Sequence, residues 1–223
     1  MNVGDGQAVL LRGQHGTILI DGGPSPVKLK DELGSRLPPW QRKLDAIVIT
    51  APGLGHVGGL AGFDRPASQI LVPGSSLTGS AWRTAALEAV ARGAAVQRVS
   101  AGYVERIAGF EVQVLAPEPR VPGDQVGAAY IALRVVAPDG RTFCDFSDLD
   151  LDAQTVAAAR IPGKCSVLLL PSGGRSRLSP ELEHAAVDRS THLVASRAAG
   201  RLATGFPPSV LRTDQEGTIA MPL

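Results

Sequence analysis

The chain has 223 residues, enough for one large domain or two small ones, and at that length a core forms without a metal or a disulfide. A formal net charge of +1 excludes a strong overall electrostatic footprint for nucleic acid or an anionic membrane, while leaving room for a local basic patch. Aromatic residues make up only 4%, whereas 26 Gly and 17 Pro predict many tight turns between short elements. No apolar run approaches the roughly 20 residues that span a bilayer. The opening Met1-Asn2-Val3-Gly4-Asp5 has no basic segment followed by an apolar one, so no signal peptide is read there.

In chain order, Ala8–Leu11 and Thr17–Ile20 are apolar runs around a polar turn, a β-hairpin pattern. Val27–Leu37 predicts a short helix stopped by Pro38-Pro39, and Ala46–Ile49 a buried strand running into a glycine-rich turn. Ile70–Val72 is a further short strand. Ala81–Ala91 is the strongest helix, with Leu87 and Val90 read as its inward face. Strands are predicted at Phe110–Leu115, Tyr130–Val136 and Thr142–Phe146, the last two joined across the hairpin signal Asp139-Gly140. A helix over Asp152–Ala159 and a strand over Val167–Leu170 follow. Ser179-Pro180-Glu181 then opens a helix, with Ser179 as N-cap and Pro180 at the first helical position. Strands at Leu193–Ala195 and Thr218–Met221 complete the chain. Strands interspersed with helices, without linker or repeat, predict one layered α/β domain over residues 1–223.

Several motifs fail on their physics. Gly53-x-Gly55-x-x-Gly58 follows a buried strand, but Pro66 breaks the helix that a dinucleotide site needs, and Ile70–Ser80 holds no acid for a ribose. Asp148-x-Asp150-x-Asp152 resembles the start of a calcium loop, yet its sixth and twelfth positions are Ala153 and Ala159 instead of Gly and Glu. Those acids read as a solvated turn and a helix cap. Ser172–Arg177 could hold an anion before a helix, with a plain loop as the preferred reading. His184 reads as a surface helix residue. Cys144 and Cys165 sit in separate strands with no zinc spacing, and free buried thiols are expected in preference to a disulfide.

The informative segment is Leu44-Asp45-Ala46-Ile47-Val48-Ile49-Thr50-Ala51-Pro52-Gly53-Leu54-Gly55-His56-Val57-Gly58-Gly59-Leu60. It resembles the metal-binding strand and turn of the metallo-β-lactamase superfamily, which reads Thr-His-x-His-x-Asp-His-x-Gly-Gly. Within that superfamily the chain is most similar to the C-terminal domain of ComEC-type competence channels. Val3-Gly4-Asp5-Gly6-Gln7-Ala8 and Leu19-Ile20-Asp21-Gly22-Gly23 resemble its opening motifs, and Ser147-Asp148 stands where a metal-bridging acid belongs. Ser172-Gly173-Gly174-Arg175 corresponds to its His-His-Gly-Ser loop, and Gly205-Phe206-Pro207 to a Gly-His-Pro turn. Arg212-Thr213-Asp214-x-x-Gly217-Thr218-Ile219 closes the likeness, which spans nearly the whole chain.

The resemblance implies an α/β fold, a four-layer αββα sandwich. It also implies that the ligand positions are erased at Ala51, Gly53, Gly55, Ser172 and Phe206, leaving His56 and Asp148. A catalytic zinc takes about three protein ligands plus water, and without metal a water pKa stays near ~15.7, so hydroxide at neutral pH is lost. His15 and His192 lie on other parts of the strand pattern. The preferred reading of His56 is a polar residue packed in a turn, and of Asp148 a helix cap. No catalytic residue and no cofactor are expected. The implied role is a non-catalytic domain of a DNA-uptake channel, structural or DNA-guiding, cut from a longer membrane protein and lying on the outer face of the cytoplasmic membrane. Its expected partners are single- or double-stranded DNA and the rest of the channel, with Arg175, Arg177 and Arg201 as candidate DNA contacts. The alternative is a divergent nuclease or phosphodiesterase holding zinc or manganese.

Overall fold

The computed structural model describes residues 1–74, 80–119, 130–146, 148–197 and 200–223. The first half forms a five-stranded sheet in sequence order. Strands β1 (Val9–Arg12) and β2 (Thr17–Ile20) make the expected antiparallel hairpin. Strands β3 (Leu44–Val48), β4 (Ala67–Pro73) and β5 (Ala95–Val99) then add in parallel to β2. Helices α1 (Pro26–Gly34), α2 (Leu54–Val57) and α3 (Ser80–Ala91) connect them. In α1, Ser25 caps the backbone N–H of Lys28, and Pro26 occupies the first turn, where its missing donor costs nothing.

The second half forms a seven-stranded sheet, order β12-β11-β10-β9-β8-β7-β6. Strands β6 (Val104–Ile107), β7 (Phe110–Ala116), β8 (Ala132–Val136) and β9 (Thr142–Asp145) run antiparallel. From β9 onward, β10 (Val167–Leu169), β11 (His192–Ala195) and β12 (Leu211–Arg212) are parallel. Helices α4 (Leu151–Ala158), α5 (Pro180–Ala186) and α6 (Thr213–Glu216) complete this half.

Three apolar clusters show why these strands read as unbroken hydrophobic runs. Side chains alternate across a strand, and here both faces are covered. In β2, Leu19 faces a cluster with Leu29 and Leu33 of α1, while Ile18 and Ile20 face the second sheet. In β9 and β10, Phe143, Val167 and Leu169 join that inter-sheet core, while Cys144 and Leu168 pack with Ala157 of α4 and Leu182 of α5. Helices, sheet, sheet, helices: the four-layer αββα sandwich is present.

The structure corrects three expectations. In α3, Leu87 is 64% and Val90 47% exposed; the inward face is Trp82, Ala85 and Ala86. The two bulky residues mimic an apolar stripe, but the small alanines are what bring the helix close to the sheet. Thr218–Met221 is not a strand, because the place beside β11 is taken by Leu211–Arg212. Ile219 and Met221 still pack against the inter-sheet core.

Cys144 and Cys165 are joined in a disulfide, with Cα atoms 6.0 Å apart. Free thiols were the expectation because neighbourhood in the sheet cannot be seen from spacing; β9 and β10 are adjacent parallel strands, and that adjacency brings the sulfurs together. The bridge closes a 21-residue separation. The Cys144→Ala/Cys165→Ala double variant is therefore expected to lose about 3 kcal/mol of stability, the chain-entropy value for loops near that length, measured by urea unfolding against the oxidised parent.

Candidate functional site

Both sheets deliver their polar residues to one edge, at the carboxyl ends of parallel strands. Asp21 follows β2, Thr50 follows β3, Asp145 ends β9, and Ser172 and Ser196 follow β10 and β11. Three backbone loops zip together beneath them. Gln7 N–H donates to the Gly55 carbonyl (2.8 Å), Gly23 N–H to that of Gln7 (2.7 Å) and Gly59 N–H to that of Gly23 (2.7 Å). A Cβ on Gly59 would lie 1.9 Å from the Gly22 carbonyl oxygen, and one on Gly6 2.2 Å from that of Gly55. The Gly-Gly that closes the turn is thus required by backbone contact alone, with or without a metal.

Into this frame is set a buried polar chain. Asp21, fully buried, takes a left-handed backbone (φ 57°), which Asp tolerates better than most side chains. Its carboxylate accepts from the Thr50 backbone N–H (2.8 Å), from the Thr50 hydroxyl, and from Gln7 Nε2 (2.9 Å). Gln7 Nε2 also reaches Asp145 Oδ2 (2.5 Å). His56 lies between two acids, with Nδ1 2.7 Å from Asp21 Oδ2 and Nε2 3.2 Å from Asp148 Oδ2. Burial alone pushes the His56 pKa down. The charge of Asp21 and the hydrogen bonds to Asp148 and Asp21 outweigh it and raise it to about 10. The hydrogen bond from His56 is the main reason the Asp148 pKa is lowered; burial opposes it, and Ser172 and Arg175 assist.

This places the residues named from sequence. His56 and Asp148 are brought together, and each has a more definite role than a packed polar residue or a helix cap. The cap of α4 is Asp150, whose side chain accepts from the Ala153 N–H (2.8 Å). Ser147 lies outside the described residues. Ala51 is buried, and an added Cβ at Gly53 meets only His56 Cδ2 at 3.9 Å. Ser172–Arg175 is more than a plain loop: it lines a cleft of about 230 Å³ with Asp5, Gln7, His56, Asp148 and Ser196. Phe206 packs against the outer-layer core beside α5.

Of the three arginines, Arg175 alone lines the cleft, with a 2.8 Å ion pair to Asp5. Arg177 donates to the Thr204 hydroxyl, and Arg201 is exposed. His192 starts β11 at the opposite end of the sheet, and His15 is exposed in the β1–β2 turn. Sequence reasoning missed Gln7 and Thr50 as partners of Asp21, Asp145 as the second acceptor of Gln7, and also Arg197, which is 1% exposed and donates to the Arg201 carbonyl (3.0 Å).

No protein-family profile matches the sequence, and no curated protein matches it. Among solved structures, a metallo-β-lactamase with a HARLDQ motif from Cronobacter sakazakii (Enterobacter sakazakii) superposes with a TM-score of 0.51 at 17% identity, covering 74% of this chain and 70% of that one. A B3 metallo-β-lactamase described as the first with an active-site glutamic acid gives 0.50 at 16% identity, covering 77% and 74%. The chain has the metallo-β-lactamase fold. At such identity the likeness is one of fold, and the chemistry rests on the residues at the site.

Those residues do not fit the two cations this fold commonly holds. Among the described residues, no group of three His, Cys, Asp or Glu converges on a metal position. Both nitrogens of His56 are engaged by carboxylates, Nδ1 by Asp21 and Nε2 by Asp148. The arrangement sets one imidazole among the carboxylates of Asp21 and Asp148, with Asp145 joined to them through Gln7.

Two outcomes follow. The His56 pKa is raised from 6.5 to about 10, so its contribution to stability is whole below pH 6.5 and is lost as the pH climbs toward 10. Urea-unfolding free energies of the parent should fall across that window more steeply than those of His56→Gln, and parallel curves would show that His56 carries no such proton. Asp21→Ala leaves the imidazolium without its buried partner and should destabilise the fold by about 3–5 kcal/mol in the same assay at neutral pH.

Proposed function

We propose that this chain is a non-catalytic metallo-β-lactamase-fold domain of a ComEC-type DNA-internalisation protein, with a structural or DNA-guiding role. The observation that carries the reading is His56 held between Asp21 and Asp148, a proton-borne positive charge where the fold commonly places metal. The likeness from Val3 to Ile219, strong in the turns and erased at the ligands, supports the affiliation. The Cys144–Cys165 disulfide supports a place on the outer face of the cytoplasmic membrane, because such bonds persist where the surroundings are oxidising. Among the described residues no helix is long and apolar enough to cross a membrane, so on this reading the spans belong to the rest of the channel protein. Arg175 at the cleft, with Arg177 and Arg201 on the flanking loops, would meet DNA phosphates.

A divergent nuclease or phosphodiesterase using zinc or manganese is the competing reading, favoured by the cleft itself and by the partial exposure of Asp148. Metal content after purification without chelator, together with DNA cleavage assays in zinc and in manganese, separates the two. We expect metal well below stoichiometric and no cleavage above background. Stoichiometric metal with cleavage abolished by Asp148→Ala would overturn the proposal. For the DNA-guiding role, Arg175→Ala/Arg177→Ala/Arg201→Ala should weaken DNA binding irrespective of sequence and flatten its salt dependence by about one unit of slope per lost phosphate contact.

A further inference from the structure

At the opposite edge of the first sheet, next to the β1–β2 turn, Trp40 is 82% exposed. An indole so far out of the core is uncommon. The loop holding it is firmly built: Pro38-Pro39 precede it, Gln41 N–H donates to the Pro38 carbonyl (2.9 Å), and Gln41 Nε2 to the Thr17 hydroxyl (3.0 Å). Two arginines are drawn onto the loop from elsewhere. Arg12 Nη1 donates to the Arg36 carbonyl and Arg65 Nη1 to the Gln41 carbonyl, each at 2.6 Å. Arg42 and Lys43, two and three residues after Trp40, are both exposed.

The nearby acids leave this patch positive. Glu32 is matched by Arg36 at 3.0 Å; Asp45, which accepts the Thr17 backbone N–H at 2.7 Å, keeps its charge, one against the four cations Arg12, Arg42, Lys43 and Arg65. Asp64, beside Arg65, faces Lys30 at 3.7 Å. Arg12, Arg42, Lys43 and Arg65 form no ion pair among the described residues. Each arginine that donates one N–H to the loop keeps others for an incoming oxygen.

We infer that this loop is a docking surface for single-stranded DNA, one base stacking on Trp40 while the surrounding cations take the flanking phosphates. An indole face and spaced guanidinium groups are the elements by which unpaired strands are held without sequence preference. In a duplex the base faces are already stacked on each other, so Trp40 selects the unpaired form. A lone aromatic offers little apolar area to a lipid surface, whereas it suffices for one base. Preferring DNA to other polyanions rests on the function proposed above; the stacking surface itself does not.

Trp40 and Trp82 are the two tryptophans, and Trp82 is buried, so fluorescence quenching by a short oligothymidylate reads Trp40. Saturable quenching is expected with the full chain. Trp40→Ala, followed by anisotropy of a labelled oligonucleotide, should bind roughly five- to a hundredfold more weakly, with Trp40→Phe retaining most of the affinity. Arg42→Glu/Lys43→Glu should weaken binding and reduce its salt dependence, and unchanged melting temperatures verify folding of these surface variants. Unaltered affinity in the Trp40→Ala and charge-reversal variants overturns the inference, as does binding to phosphatidylglycerol vesicles without binding to the oligonucleotide. Loss of binding in the Arg175, Arg177 and Arg201 variant alone would sink this surface and leave the proposed function standing. Binding through Trp40 by a chain that also cuts DNA with bound metal would do the reverse.

Discussion

Asp21 sits without solvent at the end of a central strand, in a left-handed backbone, and an ionised carboxylate there needs both a countercharge and a complete set of donors. The fold supplies the donors from three directions: Thr50 from the next strand, Gln7 from the segment before β1, and His56 from the turn between. His56 supplies the countercharge and passes the chain on to Asp148, while Gln7 passes it to Asp145. Asp145 and Asp148 belong to the second sheet and its connection, so one polar chain crosses the sandwich at its open edge. A buried pair of this kind gives little net stability over a well-packed apolar substitute, but breaking it by removing one partner is severe. That asymmetry ties the acid at the base of the site to each of its partners.

A metal in this position would compensate the same carboxylates with two charges; a protonated imidazole compensates them with one. The pairing holds because the remaining lone pairs of Asp21 are taken by neutral donors from Thr50 and Gln7, and because the loops are locked by close contact at Gly6, Gly22 and Gly59 independently of any ion. What holds the turn in place is thus separable from the side chains that the turn presents.

The layered fold was legible in the sequence because burial on both faces leaves an unmistakable trace: unbroken apolar runs such as Ile18–Ile20 and Val167–Leu169, punctuated by Gly and Pro. Weakly apolar edge strands left no such trace. β5 is exposed at most of its positions, and β6 holds two adjacent charged residues, Glu105 and Arg106, between Val104 and Ile107; both went unseen. His56 and Asp148 could be named from the motif, but their contact could not, because it joins positions on different sheets. Asp21 stood in plain view within Ile20-Asp21-Gly22-Gly23; its partners did not, since a Gln before the first strand and an Asp ending the ninth meet only once the sandwich closes. The disulfide escaped for the same reason, being decided by which strands become neighbours.

Overall charge misled in a different way. A net charge of +1 suggests a surface with no preference for polyanions, but that holds only if the two signs are mixed. Here one group of each sign stands out at opposite ends of the strands. Asp21, Asp145 and Asp148 gather at the carboxyl ends, buried or half-buried, while Arg12, Arg42, Lys43 and Arg65 stand at the amino ends of β2 and β3. Four or five strand residues separate the two groups, about 15 Å at ~3.3 Å per residue, which exceeds the screening length of about 8 Å at physiological salt. Acids at that distance, already matched by His56, Thr50 and Gln7, do little to offset cations facing open solvent. A strand of nucleic acid at the basic edge would therefore feel the local field and not the sum, and it would be held at the end of the sheet remote from the cleft beside His56 and Asp148.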